Sequence, residues 1–367
     1  MTTATVPDPT GTPPARTTGD ERPSLASRLL RLVLTQRIAL LVVLLVAVVI
    51  TMTTLSQNNY LSAPYSPSYM SATLINLVPL VLLGLAELLV ITSGRGGIDL
   101  SVGAIVSLTG MVFGFAYGQW GWSLLAALAL AVAFGALCGA LNGVLVAYVG
   151  FPALITTLAT YYAFRSLALV INDQQPISTK PVQDLYSTAA AVQLPFLPES
   201  FPRVPLGIFT FLVPTVVVVW LVLARTTWGR RLYAVGTNDV AAEWTGIDVR
   251  RTRFSAYVAA GAISGLVAVV TVAQFASARP DAGVSGTGMA LPAITIAVLG
   301  GVAITGGIGR VAGVVLAALL VVWLNAGILL AVPGNAGTQL QLFALGAVLV
   351  FAALLNGITN RRYGGTQ

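Results

Sequence analysis

The sequence predicts an all-α polytopic integral membrane protein with about ten transmembrane helices, on three observations. Of its 367 residues, 56% are hydrophobic and 8% charged, and the mean hydropathy is +0.88; soluble domains carry about 25% charged residues. The apolar residues fall in runs of about 20, the length a helix rising 1.5 Å per residue needs to cross a hydrocarbon core about 30 Å thick. The basic residues concentrate in alternate connections between those runs.

In chain order, residues 1–35 read as a disordered cytoplasmic tail. The first 24 hold five prolines and seven threonines with no apolar periodicity, too little burial to offset the entropy of ordering. Arg28, Arg31 and Arg37 flank the first apolar run, which reads as a retained helix at about 38–55 rather than a cleaved leader. Nine further spans follow at about 73–93, 101–118, 122–149, 152–172, 207–224, 254–278, 291–304, 311–331 and 340–358, divided by Gly, Pro and Asn breaks. The transmembrane domain is therefore 36–358, and 359–367 form a short cytoplasmic tail. Its two long connections, 173–206 and 225–253, fall on opposite sides: the first reads as an outer lid or docking surface, the second as an inner contact surface.

With a cytoplasmic N-terminus, fifteen of the nineteen bases lie inside, which satisfies the positive-inside bias. Lys180, Arg203 and Arg279 fall outside, and Arg165 lies within a span. The net charge of +7 thus reports membrane orientation, and no nucleic-acid partner is expected. The bilayer is the first partner.

Composition also excludes chemistry. There is no histidine and one cysteine, Cys138, so disulfide frameworks, Cys/His zinc sites and histidine-dependent triads are ruled out. The single lysine, Lys180, stands in Ser178-Thr179-Lys180-Pro181 and not in a P-loop. No metal or cofactor is expected on the chain.

Two regions carry the mechanistic candidates. In Gly94-Arg95-Gly96-Gly97-Ile98-Asp99-Leu100-Ser101-Val102-Gly103, four glycines, an acid and a hydroxyl separate two spans. Asp99 or Ser101 is placed to cap the third span, a contribution of about 0.5 to 2 kcal/mol. Glu87, about 9 Å from the inner end of span two, and Arg165, about 12 Å below the outer end of span five, must each face protein or water. Asn142, Asn325 and Gln339 are further polar points in or beside spans, read as interhelical hydrogen bonds or as contacts along a solute pathway. In the inner loop Asn238 is a good N-cap, Asp239 and Glu243 suit early helical turns, and Gly246 suits a left-handed terminus. A two-turn helix of this kind needs a surface to dock on. A weak echo, Gly-Gly-Ile-x4-Gly, recurs at Gly96 and Gly306.

The run Gly96-Gly97-Ile98-Asp99-Leu100-Ser101-Val102-Gly103 resembles the signature of the membrane permeases of bacterial simple-sugar ABC importers, the ribose, xylose, galactose and autoinducer-2 group. The resemblance continues through Leu141-Asn142-Gly143, Thr157-Leu158-Ala159-Thr160 with Phe164-Arg165, Gly229-Arg230, Tyr233-Ala234-Val235-Gly236 with Asn238, Ala241-Ala242 with Gly246-Ile247, and Leu299-Gly300-Gly301. It covers about residues 70–358. It implies a bacterial plasma-membrane permease with both termini cytoplasmic and no catalysis of its own. ATP would be bound by cytoplasmic partner subunits, solute delivered by an extracytoplasmic binding protein, and the pathway shared with a second permease subunit, identical or sister. The resemblance also makes the 238–246 helix the coupling helix, with Trp244 as its apolar contact and Arg230 and Arg231 beside it. One departure bears on substrate: Ala290 and Pro292 stand where many members carry acidic residues, so no particular sugar is carried over. An ion-coupled secondary transporter and a membrane-embedded enzyme are the rival readings; the first lacks a chain of titratable groups, the second lacks histidine.

Overall fold

A computed structural model describes residues 36–193, 198, 200–285 and 288–363, with backbone alone at 352, 353 and 355–363. The expected tail 1–35 and residues 364–367 lie outside the described residues. Among the described residues the structure is all-α apart from one two-residue ladder in the 173–206 loop and one isolated bridge.

The first span is α1 (Arg37–Gln57). The second is bent by 48° between α2 (Pro67–Thr73) and α3 (Leu77–Thr92). Ser66 caps α2 through its side chain, with Pro67 at the first turn, where a missing N–H costs nothing. Every residue of α3 except Leu80 is buried, so this helix, apolar but for Glu87 and Thr92 and without an exposed face, serves as the hub of the bundle. Then come α4 (Val102–Phe113), widening into a π-helix at Gly114–Gln119, and α5 (Leu124–Gly143), widening likewise at Val144–Val149. The fifth span is α6 (Ala153–Val170).

The outer loop folds as α7 (Lys180–Asp184), α8 (Tyr186–Ala189), β1 (Ala191–Val192) and β2 (Val204–Pro205), the strands antiparallel. Ile177, Val182, Leu185 and Ala189 from this loop join a core cluster with Met111, Phe113 and Ala273, so the loop is packed onto the bundle. A π-helical entry, Ile208–Leu212, leads into α9 (Val213–Arg225). The inner loop forms α10 (Thr227–Thr237) and α11 (Asp239–Trp244), and α12 (Val249–Phe275) returns through the bundle against α3, α4 and α5.

The remaining elements are α13 (Ala290–Leu299), α14 (Val311–Ala331) and α15 (Asn335–Tyr363). The eighth span, expected at 291–304, differs from expectation. Ten helical residues span about 15 Å, half of a hydrocarbon core. The non-helical chain before α13 starts at an isolated bridge between Ala278 and Ile177 of the outer loop. It reaches Gly283, whose N–H donates to Ser107 Oγ of α4 (2.9 Å) and whose backbone lies against Gly103. The last helix continues to Tyr363, past the expected span end at 358.

Small residues set the closest packing. On α5, Gly135 and Gly139 face Gly261, Gly265 and the Tyr257 carbonyl of α12, Gly143 faces Phe254, and a Cβ at Gly139 or Gly261 would collide with the opposing backbone. The chain just after α3 also meets the Gly306-Gly307 turn. Gly307 N–H donates to the Thr92 carbonyl (3.0 Å), and Gly94, Gly236 and Gly306 lie backbone to backbone. Gly94 and Gly306 have φ of 81° and 96°, a conformation in which any side chain is strained. Gly94, Gly236 and Gly306 thus form one three-way backbone contact at this end of the bundle.

Candidate functional site

The turn between α3 and α4 is held by a closed polar network. Asp99 N–H donates to Glu87 Oε2 of α3 (3.3 Å), and Asp99 Oδ1 accepts from Ser101 N–H (2.9 Å) and Ser101 Oγ (2.6 Å). Asn142 Nδ2 of α5 donates to Ser101 Oγ (2.7 Å) and lies 3.4 Å from both Asp99 oxygens. Thr160 of α6 donates to Asn142 Oδ1 (2.7 Å), and Thr157 of the same helix donates to the Ile98 carbonyl (3.2 Å). Glu87, Asp99, Ser101 and Asn142 are all fully buried. The network thus ties spans two to five together at one depth.

Its geometry corrects the cap reading. Asp99 bonds the N–H two residues on, closing an Asx turn. Ser101 holds the N-cap position of α4 without a side-chain cap bond. The acid stabilises the entry turn and the serine, and the first helical N–H groups are not its partners. Gly97 is confined by the Val90 carbonyl and Ser93 Oγ, Gly103 by the Gly283 backbone, while Gly96 has open space and φ of 65°. Glu87 and Arg165 form no ion pair. Glu87 Oε1 and the Tyr257 hydroxyl are buried without hydrogen-bond partners, and Arg165 is exposed on α6.

The coupling candidates occupy the loop as expected. Asn238 Oδ1 accepts from Ala241 N–H (2.9 Å), starting α11, and Gly246 ends it with φ of 83° and no atom within 4 Å of a Cβ there. Trp244 is 87% exposed and Val240 58%, an apolar tip with nothing on it. Glu243, Arg230 and Arg231 are exposed. Sequence reasoning missed what anchors this helix. Asp239 Oδ2 lies 2.5 Å from Arg95 Nε in the glycine-rich turn and 3.6 Å from Arg253 Nη2 at the base of α12. Arg253 also donates to the Ser93 carbonyl (3.3 Å). One carboxylate therefore joins the inner loop, the turn after span two and span seven.

Toward the other face a cavity of about 470 Å³ is lined by Tyr69, Asn76, Met289, Pro292, Asn325 and Gln341, among others. Gln341 Nε2 donates to the Asn325 carbonyl (2.9 Å), and Tyr69 to that of Ala326 (3.1 Å). The glutamine at this site is Gln341; Gln339 is exposed near the start of α15. Pro292, one of the two positions departing from the usual acids, lines the same cavity. Among the described residues no cluster of three His, Cys, Asp or Glu forms that would hold a metal ion.

Residues 69–353 match the family described as branched-chain amino acid transport system / permease component. The chain is similar to the autoinducer 2 import system permease protein LsrD of Salmonella typhimurium, 34% identical over 269 residues, 73% of this chain and 77% of the relative. The same protein of Photorhabdus temperata is 34% identical over 275 residues, with the same coverage of each chain. No solved structure matches.

Proposed function

This chain belongs to the branched-chain amino acid transport system / permease component family and is the membrane permease subunit of an ABC importer, and from that premise we propose that it passes a small polar solute of the simple-sugar or autoinducer 2 kind. The α11 helix carries the reading furthermore to mechanism: it is capped at Asn238, closed at Gly246, tipped by an exposed Trp244 and anchored to two spans through Asp239. A helix of six residues is not stable alone. An apolar tip on a rigidly anchored stub is suited to a groove on a cytoplasmic ATP-binding subunit, whose closure would move the turn after span two and the base of span seven together.

Two further partners follow. Arg165 lies within a membrane helix, exposed, with no ion pair among the described residues, beside exposed Tyr162, Leu158 and Ile155. A charge there is stable only against protein or a water-filled path, which supports a second permease subunit sharing the pathway. Asn76, Asn325 and Gln341 offer hydroxylated solutes hydrogen bonds between apolar walls, so the cavity they line is the outer stretch of that path, filled from an extracytoplasmic binding protein. The chain would reside in the bacterial inner membrane with both termini cytoplasmic and leave ATP hydrolysis to its partners.

The test is uptake in vesicles reconstituted with the neighbouring ATP-binding subunit and binding protein. Uptake should require ATP and both partners and resist a proton uncoupler. Uptake by the permease alone that an uncoupler abolishes would establish secondary transport instead.

A further inference from the structure

A groove of about 560 Å³ runs between α9 and α12, floored by Leu89 of α3 and walled by Val218, Val222, Ala259, Ala262 and Leu266. Its lining is apolar, as in any lipid-facing surface, but its length and its end are distinctive. From Ser255 to Leu266 it follows α12 for about 16 Å, close to half of a bilayer's hydrocarbon thickness. It stops at the arginine-rich end of the bundle, where Trp228 Nε1 donates to Ser255 Oγ (2.7 Å) and closes the floor. An indole at that depth is placed at headgroup level.

The charges at this mouth identify the occupant. Arg225 follows Val222 by three residues on α9, and Arg251 precedes Ser255 by four on α12, so both arginines lie one turn beyond the groove on its own face. Arg225 is exposed and makes no ion pair among the described residues. The Arg251 side chain is 81% exposed, and its Nε pairs with Asp248 (3.1 Å). We propose that this groove is a binding site for an anionic phospholipid of the adjacent leaflet, an acyl chain lying along α12 and the phosphate between Arg225 and Arg251. A neighbouring helix of a second chain is the competing occupant of the apolar slot.

The test uses the full chain in nanodiscs of equimolar phosphatidylglycerol and phosphatidylcholine, with retained lipid counted by native mass spectrometry. Each arginine contributes about fivefold at an anionic surface, so phosphatidylglycerol should be retained over phosphatidylcholine by roughly twentyfold or more. Arg225→Gln with Arg251→Gln should bring the ratio near unity while neutral lipid stays bound. Ala262→Phe, which fills the slot, should lose both lipids. Equal retention by the unaltered chain, or a preference that survives loss of both arginines, would overturn the proposal. So would disulfide cross-linking of two copies in membranes through Val218→Cys in a Cys138→Ala background, because the groove would then belong to a chain interface.

Discussion

Asp239 of the inner loop ion-pairs with Arg95 of the glycine-rich turn at 2.5 Å, and its neighbour in that contact is the buried Arg253. The two arginines differ in what they risk. Arg95 is 71% exposed in its side chain, Arg253 only 5%. Arg95→Ala should cost at most about 1 kcal/mol, the range of exposed pairs. Asp239→Ala strands a buried guanidinium and should cost about 3 kcal/mol. Thermal unfolding in detergent separates them; equal losses would mean that Arg253 does not depend on the carboxylate.

The glycine seam between α5 and α12 gives a second contrast. Gly139→Ala drives a methyl into the Tyr257 carbonyl, whereas Gly346→Ala on α15 meets no atom within 4 Å. The first should lose about 1 to 3 kcal/mol or more and much of its membrane abundance, and the second should be tolerated. Comparable abundance of the two would show that the seam is looser than its geometry.

Asp99 separates a turn from a charge. Asp99→Asn keeps an oxygen for Ser101 N–H and should leave abundance near normal, while Asp99→Ala leaves that N–H and the Ser101 hydroxyl without their acceptor inside the protein, at about 1 to 3 kcal/mol. Uptake normalised to abundance reads the remaining question. Near-normal Asn uptake is expected if Asp99 holds the turn; an abundant but inactive Asn variant would show that the negative charge itself is required.

Sidedness is tested by single cysteines at Ser187 and Thr237 in a Cys138→Ala background. They should react with an impermeant thiol reagent from opposite faces of the membrane, as the arginine distribution requires. Labelling from one face would contradict the alternation of spans.

The local parts of this molecule were legible in its sequence. Asn238 and Gly246 declare a helix start and stop within nine residues, and the apolar runs declare most spans, because caps and hydropathy act over a turn or a segment. The half-length α13 was not legible. An apolar window cannot distinguish a helix that crosses from one that starts halfway, and the Gly283 contact that holds the preceding chain comes from a distant segment, at Gly103 and Ser107. The partners of Asp239 were hidden for the same reason: Arg95 and Arg253 reach it from two other spans. Gln339 and Gln341 differ by two positions, and only the rotation of α15 decides which faces Asn325.

The most direct measurement of the central account is ATP hydrolysis by the reconstituted complex with and without loaded binding protein, for the unaltered chain, Trp244→Ala and Gly246→Val. Trp244 touches nothing in the chain that would unfold on its loss, and Gly246→Val strains only the end of α11. Both variants should reach the membrane in normal amounts while stimulation by the loaded binding protein falls steeply. Full stimulation in both would contradict coupling through α11.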